Sequence, residues 1–530
     1  MKTLTQHNAP ITSTPTNKQV NNISKAAFMK PIADLSLTLA NFNLAPYEVI
    51  EILDVKLTQE INEHGSMYVK ALLSDEQGEK YATESASGKN LTLSANGSVL
   101  FQGIVGHLNV GSENGSYYME IQGISYSHLL DLKPQSRSFQ DASMTYQAVA
   151  SQVMSSYGGS VMDLVANGAS INQFIMQYLE TDWQFLKRLA SHFNAGIVCD
   201  SRFDKPMIYL GTSHIQRTEL ENFNYIVKKD MSRYRVLTEN GVKGLIEDDF
   251  LTYEVQTNQV LNVGDEVRIQ GRTLYVLEVV GSIIRDVFVN KLTLSTKKGL
   301  CQPYKAHDEV AGCSFNGKVI DVKNDQVKVH LDIDKEQSGS TARWFPYSTL
   351  FSSDKGSGWY CMPELGDTIR LYVPDGSDDH AYAISSVHEP VKPQPGQNAQ
   401  GKNNGLITSS TQGAGGSAPA QGGISAGGMR DNPEEKSLRN EAGHELRLTP
   451  DGLYAIIDGS VIALKVEDGV LIQSEKDIEI VSEKSVMIVA EEEINIVGTE
   501  GVKLCAETAE VLLEEDVNIK GQEVKSNGGA

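Results

Sequence analysis

Apolar and polar residues alternate along most of the chain, as they do in β-strands that bury one face. Leu91 and Leu93 lead into Asn96-Gly97, and the apolar run 99–105 follows. Asn and Gly both accept positive φ, so this dipeptide predicts a hairpin turn between two strands. Similar runs continue to about residue 294. The pattern therefore predicts an antiparallel barrel or sandwich followed by a second β-domain.

Two helices interrupt these strands. The first is predicted from apolar residues at helical spacing, which Gly158-Gly159 ends: Tyr146, Val149, Ala150, Val153 and Tyr157. The second begins after Thr181, whose hydroxyl can cap the first amides while Gln184 reaches back in a capping box. Its apolar face is predicted to pack against a core through Trp183, Leu186, Leu189 and Phe193.

Residues 301–389, here called the module, are predicted to be a separate small β-domain. The turn Asn324-Asp325 precedes the alternating run 327–331, and the sequence 365–367 (Leu-Gly-Asp) turns into a further apolar run. Short strands on this scale suit a small closed barrel such as an OB-fold. Residues 390–437 are interpreted as a Gly/Ser-rich linker. Residues 1–30 are interpreted as a flexible arm, or as an arm that docks on a neighbouring subunit.

Residues 438–530 contain an eight-residue repeat, here called the octad. Apolar residues fill its first and third places, the sixteen octad positions: Leu446, Leu448, Tyr454, Ile456, Ile462, Leu464, Val470, Ile472, Ile478, Ile480, Val486, Ile488, Ile494, Ile496, Val502 and Leu504. With 40% hydrophobic residues in the chain, the chance of sixteen matches is about 4 × 10⁻⁷ before the choice of phase is counted.

The octad fits a strand and a corner, because an i, i+2, i+8 pattern does not fit the 3.6-residue period of a helix. Two inward residues per octad are too few to close a core within one narrow chain. Three chains wound together would close it. The repeat therefore predicts an intertwined, triple-stranded β-helix with the octad positions as the trimer core. Charged corners such as Glu491-Glu492-Glu493 would face solvent.

Composition narrows the class of protein. The chain has 530 residues and a net charge of −22, which argues against nucleic acid as a partner. Its five cysteines are widely spaced and include no CxxC pair. Reduced thiols are expected, without a disulfide framework or a zinc cluster. No apolar run reaches 18 residues and no signal peptide is visible, so we expect synthesis in the cytoplasm.

Several stretches resemble the hub-and-spike proteins called VgrG and their relatives in phage tails and extracellular contractile injection particles. Residues 136–140 (Ser-Arg-Ser-Phe-Gln) and 177–189 (Gln-Tyr-Leu-Glu-Thr-Asp-Trp-Gln-Phe-Leu-Lys-Arg-Leu) are similar to the hub domain of that family. Residues 363–367 (Pro-Glu-Leu-Gly-Asp) are similar to its OB-fold, and the octads to its needle. The resemblance implies a homotrimer with two hub barrels per chain within residues 31–300, joining a sixfold tube to a threefold spike.

The resemblance also implies partners: an inner-tube protein of the Hcp or tail-tube type, baseplate proteins and, in some systems, effector cargo. Octads stop near Leu504, and no His follows His444 to close the tip around a metal. A separate PAAR-type tip protein is therefore expected. The chain lacks the lysozyme insertion or appended toxin of some members. We expect no enzyme activity, no cofactor, and ejection from the cell as part of a fired particle.

A few groups could carry chemistry but have more ordinary interpretations. They are the pair His192 and Cys199, the pair Asp332 and Asp334, the Ca²⁺-like run 375–379 (Asp-Gly-Ser-Asp-Asp), and Cys505 as a soft-metal ligand. Core packing, a solvated strand end, a loop and a free thiol are the ordinary interpretations. No catalytic or metal-binding residue is therefore predicted.

Two other functions remain open from the sequence. A polysaccharide-cleaving tailspike would need paired carboxylates in a groove on a wide helix, whereas the octad implies a narrow prism. A trimeric adhesin would need a receptor-binding head. The payload, the target cell and the type of parent particle cannot be read from the residues.

Overall fold

The computed structural model of the protein describes residues 36–86, 88–212, 217–220, 224–350, 361–384, 436–440, 442–499, 502–506 and 509–513. The predicted arm 1–30 lies outside these residues, as does the predicted linker 390–437 except for its last two residues. The chain divides into two compact units, residues 1–391 and 392–530. Both units are mainly β, as predicted.

In the described part of residues 36–300, strands outnumber helices. The strands are β1 Phe42–Ala45, β2 Glu51–Glu60, β3 Ser66–Leu73, β4 Asn90–Ala95, β5 Ser98–Glu113, β6 Ser116–Ser125, β7 Pro134–Phe139, β8 Ser160–Asp163, β9 Ile175–Thr181, β10 Ile197–Cys199, β11 Met207–Leu210, β12 Arg217–Glu219, β13 Tyr225–Lys229, β14 Leu251–Thr257, β15 Glu266–Ile269, β16 Arg272–Ile284 and β17 Val287–Ser295. The helices are α1 Asp75–Thr83, α2 Tyr146–Met154, α3 Asp182–Ser191 and α4 Met231–Glu239.

Most of these strands belong to one twelve-stranded sheet. Its main path is β1-β4-β5-β6-β3-β2-β16-β17-β14-β13, with β15 and β12 attached beyond β16. The antiparallel pairing of β2 with β16 joins the two halves that the sequence predicts as separate β-domains. Each half keeps its own core, with Phe101 and Met119 fully buried in the first and Val267 and Leu294 in the second. One continuous sheet therefore contributes strands to two separate hydrophobic cores.

The predicted turns and helices are confirmed. Asn96 and Gly97 connect β4 to β5 with φ values of 49° and 78°. Helix α2 ends before Gly158, which is left-handed at φ 60°. At the start of α3, the Thr181 hydroxyl accepts from the Gln184 amide at 3.1 Å, and the Gln184 side chain accepts from the Thr181 amide at 3.1 Å. This reciprocal pair is the capping box.

The module contains a five-stranded sheet. Its strands are β18 Ser314–Lys323, β19 Gln326–Leu331, β20 Trp344–Pro346, β21 Thr368–Tyr372 and β22 Tyr382–Ile384, in the order β20-β19-β18-β21-β22. A parallel bridge between Tyr347 and Ala383 connects the two ends of this order, so the sheet closes on itself. Its core includes two residues from the preceding region, Phe174 and Met176 of the β9 segment. The module is therefore completed by a strand that the sequence assigns elsewhere.

The second unit contains an antiparallel meander and a hairpin. Its strands are β23 Lys436–Arg439, β24 Glu445–Thr449, β25 Gly452–Ile457, β26 Ser460–Lys465, β27 Gly469–Ser474, β28 Val502–Ala506 and β29 Ala509–Leu513. Strands β23 to β27 pair in chain order, and β28 pairs with β29. Between these two groups, described residues 475–499 contain no strand.

Candidate functional sites

The octad positions form an exposed apolar surface in the single chain. Tyr454 is buried, and Ile456 and Val502 are half-buried. The other thirteen are exposed, at 45% to 69% of their full surface: Leu446, Leu448, Ile462, Leu464, Val470, Ile472, Ile478, Ile480, Val486, Ile488, Ile494, Ile496 and Leu504. Soluble monomers seldom leave many large apolar side chains in water within one segment. These positions are therefore candidates for a contact with another chain.

The backbone between β27 and β28 repeats with the same period. It bends at residues 475–476, 483–484, 491–492 and 499, which is every eight residues. At the first two bends a serine caps the corner: Ser474 Oγ accepts from the Lys476 amide at 3.0 Å, and Ser482 Oγ from the Lys484 amide at 3.3 Å. Six-residue segments lie between the bends.

These segments have no backbone partners among the residues of the single chain that the structure describes. Residues 477–498 make no backbone–backbone hydrogen bond with any other residue that the structure describes. Backbone amides and carbonyls in a folded protein are almost always paired when they leave water. The segments therefore offer unused donors and acceptors alongside exposed apolar side chains.

The meander distributes the octad positions over two faces. Leu446 lies opposite Ala455, and Ile462 lies opposite both Ala455 and Ile472, so these residues share one face. Tyr454 lies opposite Arg447 and Ala463 on the other face. Ile456, two residues from Tyr454, is on that face too. In the single chain, Tyr454 and Ile456 therefore lie on the opposite face of the meander from the octad positions of β24, β26 and β27.

Loop length explains this difference. Two residues connect β24 to β25 and β25 to β26, whereas three connect β26 to β27. Across a two-residue hairpin loop, even-numbered positions on one strand oppose odd-numbered positions on the next. A repeat of eight residues therefore does not place Tyr454 and Ile456 on the same face as the octad positions of the neighbouring strands. On β25, Leu453 and Ala455 occupy that face instead.

A buried ionic junction connects α3 to the module. The Arg188 guanidinium binds the Glu180 carboxylate at 2.9 to 3.1 Å and Oδ2 of Asp378 at 3.3 Å. His307 Nδ1 lies 2.9 Å from Oδ1 of Asp378. All four residues are buried. Burial opposes the charge of Arg188, but Asp378 and Glu180 outweigh it and raise the pKa of the guanidinium.

The run 136–140 makes a second set of contacts with the module. Asp334 of the module accepts from the Ser138 amide and from the Ser138 hydroxyl, each at 2.6 Å. The Gln140 side chain donates to the Val329 carbonyl at 3.0 Å and accepts from the Arg343 amide at 3.2 Å. Burial raises the pKa of Asp334, and the two bonds from Ser138 oppose that rise. Asp334 thus ties the module to β7, while Asp332 is exposed.

His192 and Cys199 do not form a reactive pair. His192 Nδ1 lies 2.9 Å from the Tyr146 hydroxyl, and burial lowers the pKa of His192 to about 4 with a further contribution from Arg188. Cys199 Sγ accepts from the Gly65 amide at 3.3 Å, and burial raises the pKa of its thiol. Each side chain therefore serves a separate part of the core.

The other groups that the sequence singles out either form ion pairs or are exposed to solvent. Asp375 binds His380 at 2.8 Å, Asp378 joins the Arg188 junction, and Asp379 binds Arg343 at 2.7 Å. The carboxylates of the run 375–379 are thus directed to different cations. Glu491, Glu492 and Glu493 are exposed at a bend, and Cys505 is an exposed free thiol on β28.

The sequence analysis missed an Asp-His-Ser arrangement. His64 Nδ1 lies 2.8 Å from Ser127 Oγ, and His64 Nε2 lies 3.4 Å from Asp131 Oδ2. The order is that of a hydrolytic triad. Ser127 is only 2% exposed and its hydroxyl lies 2.7 Å from that of Ser125, so a substrate has no access to it. Ser127 and Asp131 are near each other in the chain, but His64 precedes Ser127 by 63 residues, so no local signal brings the histidine to them.

Comparison with known families identifies the N-terminal region. Residues 58–206 match the model of the family described as phage tail baseplate hub (GPD). This stretch contains both helices that the sequence predicts and the runs 136–140 and 177–189. The predicted resemblance to VgrG-like hub proteins is confirmed there. No curated protein matches the chain.

Solved structures of low identity resemble the chain. An E. coli protein, c3393, described as a type VI secretion component similar to T4 tail proteins gp27 and gp5, is 14% identical, with a TM-score of 0.46 over 64% of this chain and 98% of that one. A chain of a half-lidded Francisella PdpA–VgrG complex is 9% identical, with a TM-score of 0.44 over 82% of this chain and 87% of that one. A Shewanella oneidensis prophage tail protein is 12% identical, with a TM-score of 0.39 over 50% and 98%. The hub assignment rests on the family match, because these TM-scores lie below 0.5.

Proposed function

We propose that three copies of this chain form the hub and spike of a contractile injection machine. Residues 31–300 of each copy contribute to a hub ring with two barrel-like halves per chain, and the octads of the three copies form the puncturing needle. In this proposal the protein acts by position and mechanical strength and not by catalysis. The observation that carries this proposal is the exposed apolar surface of the octad positions.

The magnitude of apolar burial favours a trimer over a monomer. Each aliphatic side chain moved from water to a core contributes about 1.5–3 kcal/mol. The thirteen exposed octad positions would together contribute a few tens of kcal/mol per chain, before the entropy of ordering is subtracted. A monomer loses nearly all of this. Three copies around one axis would bury it without a second kind of protein.

The unpaired backbone favours intertwined chains over three separate strands in contact. The backbone of residues 477–498 has no partner among the described residues of its own chain. Strands from the other two copies, stacked above and below, would supply these partners and leave no open edge along the shaft. The eight-residue interval between bends then corresponds to one face of a three-sided prism.

The base of the needle would be built differently. Strands β24 to β27 already pair within one chain, so each copy would contribute a whole sheet to the base. The face with Leu446, Ile462 and Ile472 would turn to the axis, accompanied by Leu453 and Ala455. Tyr454 and Ile456 would lie on the outer side with the Glu445–Arg447 ion pair.

The rest of the assembly follows from the hub family. The closed five-stranded sheet of the module would be an OB-fold between hub and needle. An inner-tube protein and baseplate proteins would contact the hub, and effector cargo would travel with the spike. A PAAR-type protein would cover the blunt end beyond β28 and β29. The particle would be assembled in the cytoplasm and leave the cell on firing. The structure contains no helix, in its described part, that is both long and apolar enough to cross a membrane.

Light scattering on the purified full-length chain tests the proposal. We expect a mass three times the 57.9 kDa of one chain, and we expect the trimer to resist heat and detergent because its core exists only between copies. A stable monomer at micromolar concentration would refute the trimeric needle. The family match of residues 58–206 would stand in that case.

Co-expression with small proteins encoded nearby tests the tip. Binding of a cap protein should survive deletion of residues 31–300 and be lost when residues 505–530 are removed. Most of that terminal segment lies outside the described residues. A native particle whose needle ends in ordered Ala530 with no cap would contradict this part of the proposal.

A further inference from the structure

The strand β9 changes direction at Leu179. Its φ is 53°, a left-handed value that costs an L-residue about 1–2 kcal/mol. On β7, Gln135 pairs with Glu180 and Arg137 with Gln177, so Ser136 alone opposes Tyr178 and Leu179. Two residues against one is a β-bulge, a feature that bends a strand and re-aims its side chains. The Leu179 side chain is 58% exposed, so burial of that side chain does not compensate the strain.

β9 contacts both the module and the N-terminal core. Before Leu179, Phe174 packs on Phe345 and Tyr178 packs on Phe315, with ring centroids 5.1 and 4.8 Å apart, at the core of the module. Ile175, on the other face of the same limb, is buried in the N-terminal core. After Leu179, Glu180 and Thr181 lead into α3, which packs in the N-terminal core as well. The bulge therefore lies between a limb that both cores share and the start of α3.

Charged side chains hold the edge of β9 that does not pair with β7. The Met176 amide donates to Oδ2 of Asp378 at 2.8 Å, and the Met176 carbonyl accepts from Arg188. His307 Nε2 lies 3.4 Å from the Tyr178 carbonyl. Arg188 also binds Glu180 beyond the bulge. One guanidinium thus contacts both limbs of the bent strand and the module loop at Asp378.

We propose that β9 is the joint between the hub region and the module, bent at Leu179 and locked by Arg188 and Asp378. Arg188 is in this view a positioning residue: it fixes the angle at which the module is held on the hub region. This inference goes beyond the proposed trimer, because it concerns contacts within one chain.

Hydrogen exchange of the full-length protein, followed by mass spectrometry, tests the lock. Asp378→Asn keeps the shape of the side chain but leaves Arg188 with Glu180 as its single carboxylate partner. We expect exchange in a peptide covering residues 174–181 to rise at least about 100-fold, which corresponds to about 2.7 kcal/mol at 1.36 kcal/mol per tenfold. The matched control is Asp375→Asn, three residues earlier in the same loop and exposed, which should leave exchange unchanged.

Other results of this experiment would overturn the lock. Unchanged exchange at 174–181 in Asp378→Asn would show that Asp378 does not hold the strand. An equal rise in distant hub strands such as β3 and β6 would show a general stabilising role and not a joint. Light scattering on the same samples records the assembly state, so failure of the joint and failure of the trimer can be told apart.

Two substitutions at Leu179 test the bend. At an ordinary strand position Gly is less stable than Ala, because Gly loses more conformational freedom on folding. At a left-handed position the order reverses, since Ala keeps the Cβ that clashes. We expect Leu179→Gly to unfold at a higher urea concentration than Leu179→Ala. The opposite order would refute the strained bend.

Discussion

Ile480→Asp distinguishes a needle core from an exposed strand. Ile480 is 69% exposed in the single chain. In a monomer the substitution would touch a surface side chain and change the free energy of unfolding by about 0.5 kcal/mol or less. In the proposed trimer it would place three carboxylates around one axis. The two situations therefore predict opposite results from one change.

The expected cost in the trimer is large. Loss of three buried isoleucines removes about 5–9 kcal/mol of apolar burial. Three unpaired carboxylates near one another add several kcal/mol each, unless they take up protons. The total is comparable with the whole stability of a typical domain, about 5–15 kcal/mol. We therefore expect Ile480→Asp to abolish the needle while residues 58–206 remain folded.

Val481→Asp is the matched control. Val481 is the next residue, has the same apolar character and is 80% exposed. Neighbouring residues of an extended strand point to opposite sides, so an aspartate at 481 would face solvent. Glu483→Asp, at a corner, is a second control that should change almost nothing. Light scattering gives the mass of each variant, and resistance to heat and detergent reports the needle.

Two results would refute the reasoning. If Ile480→Asp remained a heat-resistant trimer, the octad positions would not form the core. If Val481→Asp were disrupted as strongly as Ile480→Asp, the phase of the repeat would be wrong by one residue.

Three further outcomes are expected. Burial depresses the pKa of His192 to about 4, so its contribution to stability is present above the unfolded pKa of about 6.5 and is lost as the pH falls from 6.5 through 4. In urea titrations over that pH range, the His192→Gln variant should therefore lose less stability than the parent protein. An equal loss would contradict the depressed pKa. The purified trimer should not clear a cell-wall suspension, and clearing would contradict the absence of peptidoglycan hydrolysis. Asp334→Ala leaves the Ser138 amide without its partner and should lower the free energy of unfolding by about 1–3 kcal/mol, measured by urea denaturation. Asp332→Ala, at an exposed site, should leave it unchanged.

Local signals in the sequence are sufficient for the main elements of the N-terminal region. The Asn96-Gly97 turn, the capping box at Thr181 and the apolar spacing of α2 each depend on residues close in the chain, and each is confirmed. Helices α1 and α4 were not predicted. Each buries little apolar surface, chiefly Tyr81 in α1 and Leu237 in α4, so neither shows an apolar stripe that periodicity can detect.

Contacts between distant residues could not be predicted from local pattern. Arg188 and Asp378 are 190 residues apart, and nothing near either residue identifies the other. The same holds for Ser138 and Asp334, and for the place of Phe174 in the core of the module. The conformation of Leu179 is equally hidden, because Leu has no preference for positive φ.

The face on which the residues of β25 lie depends on a local turn signal. Asp458-Gly459 is a hairpin signal of the same kind as Asn96-Gly97, and both residues have positive φ. A hairpin at this point implies pairing within the chain, and its two-residue loop shifts the inward face from even to odd positions. The information was present in the sequence, but a strict count of eight residues conceals it.

The unpaired backbone of residues 477–498 also bears on how cells make the protein. The N-terminal region emerges from the ribosome first, whereas in the proposed trimer this later segment can complete its pairing only when sister chains are present. An isolated apolar strand with open edges is the kind of segment that seeds cross-β aggregates. Neighbouring ribosomes on one messenger RNA supply identical nascent chains at high local concentration. The yield of native protein should therefore depend on how densely its message is translated, more than on the stability of any one domain.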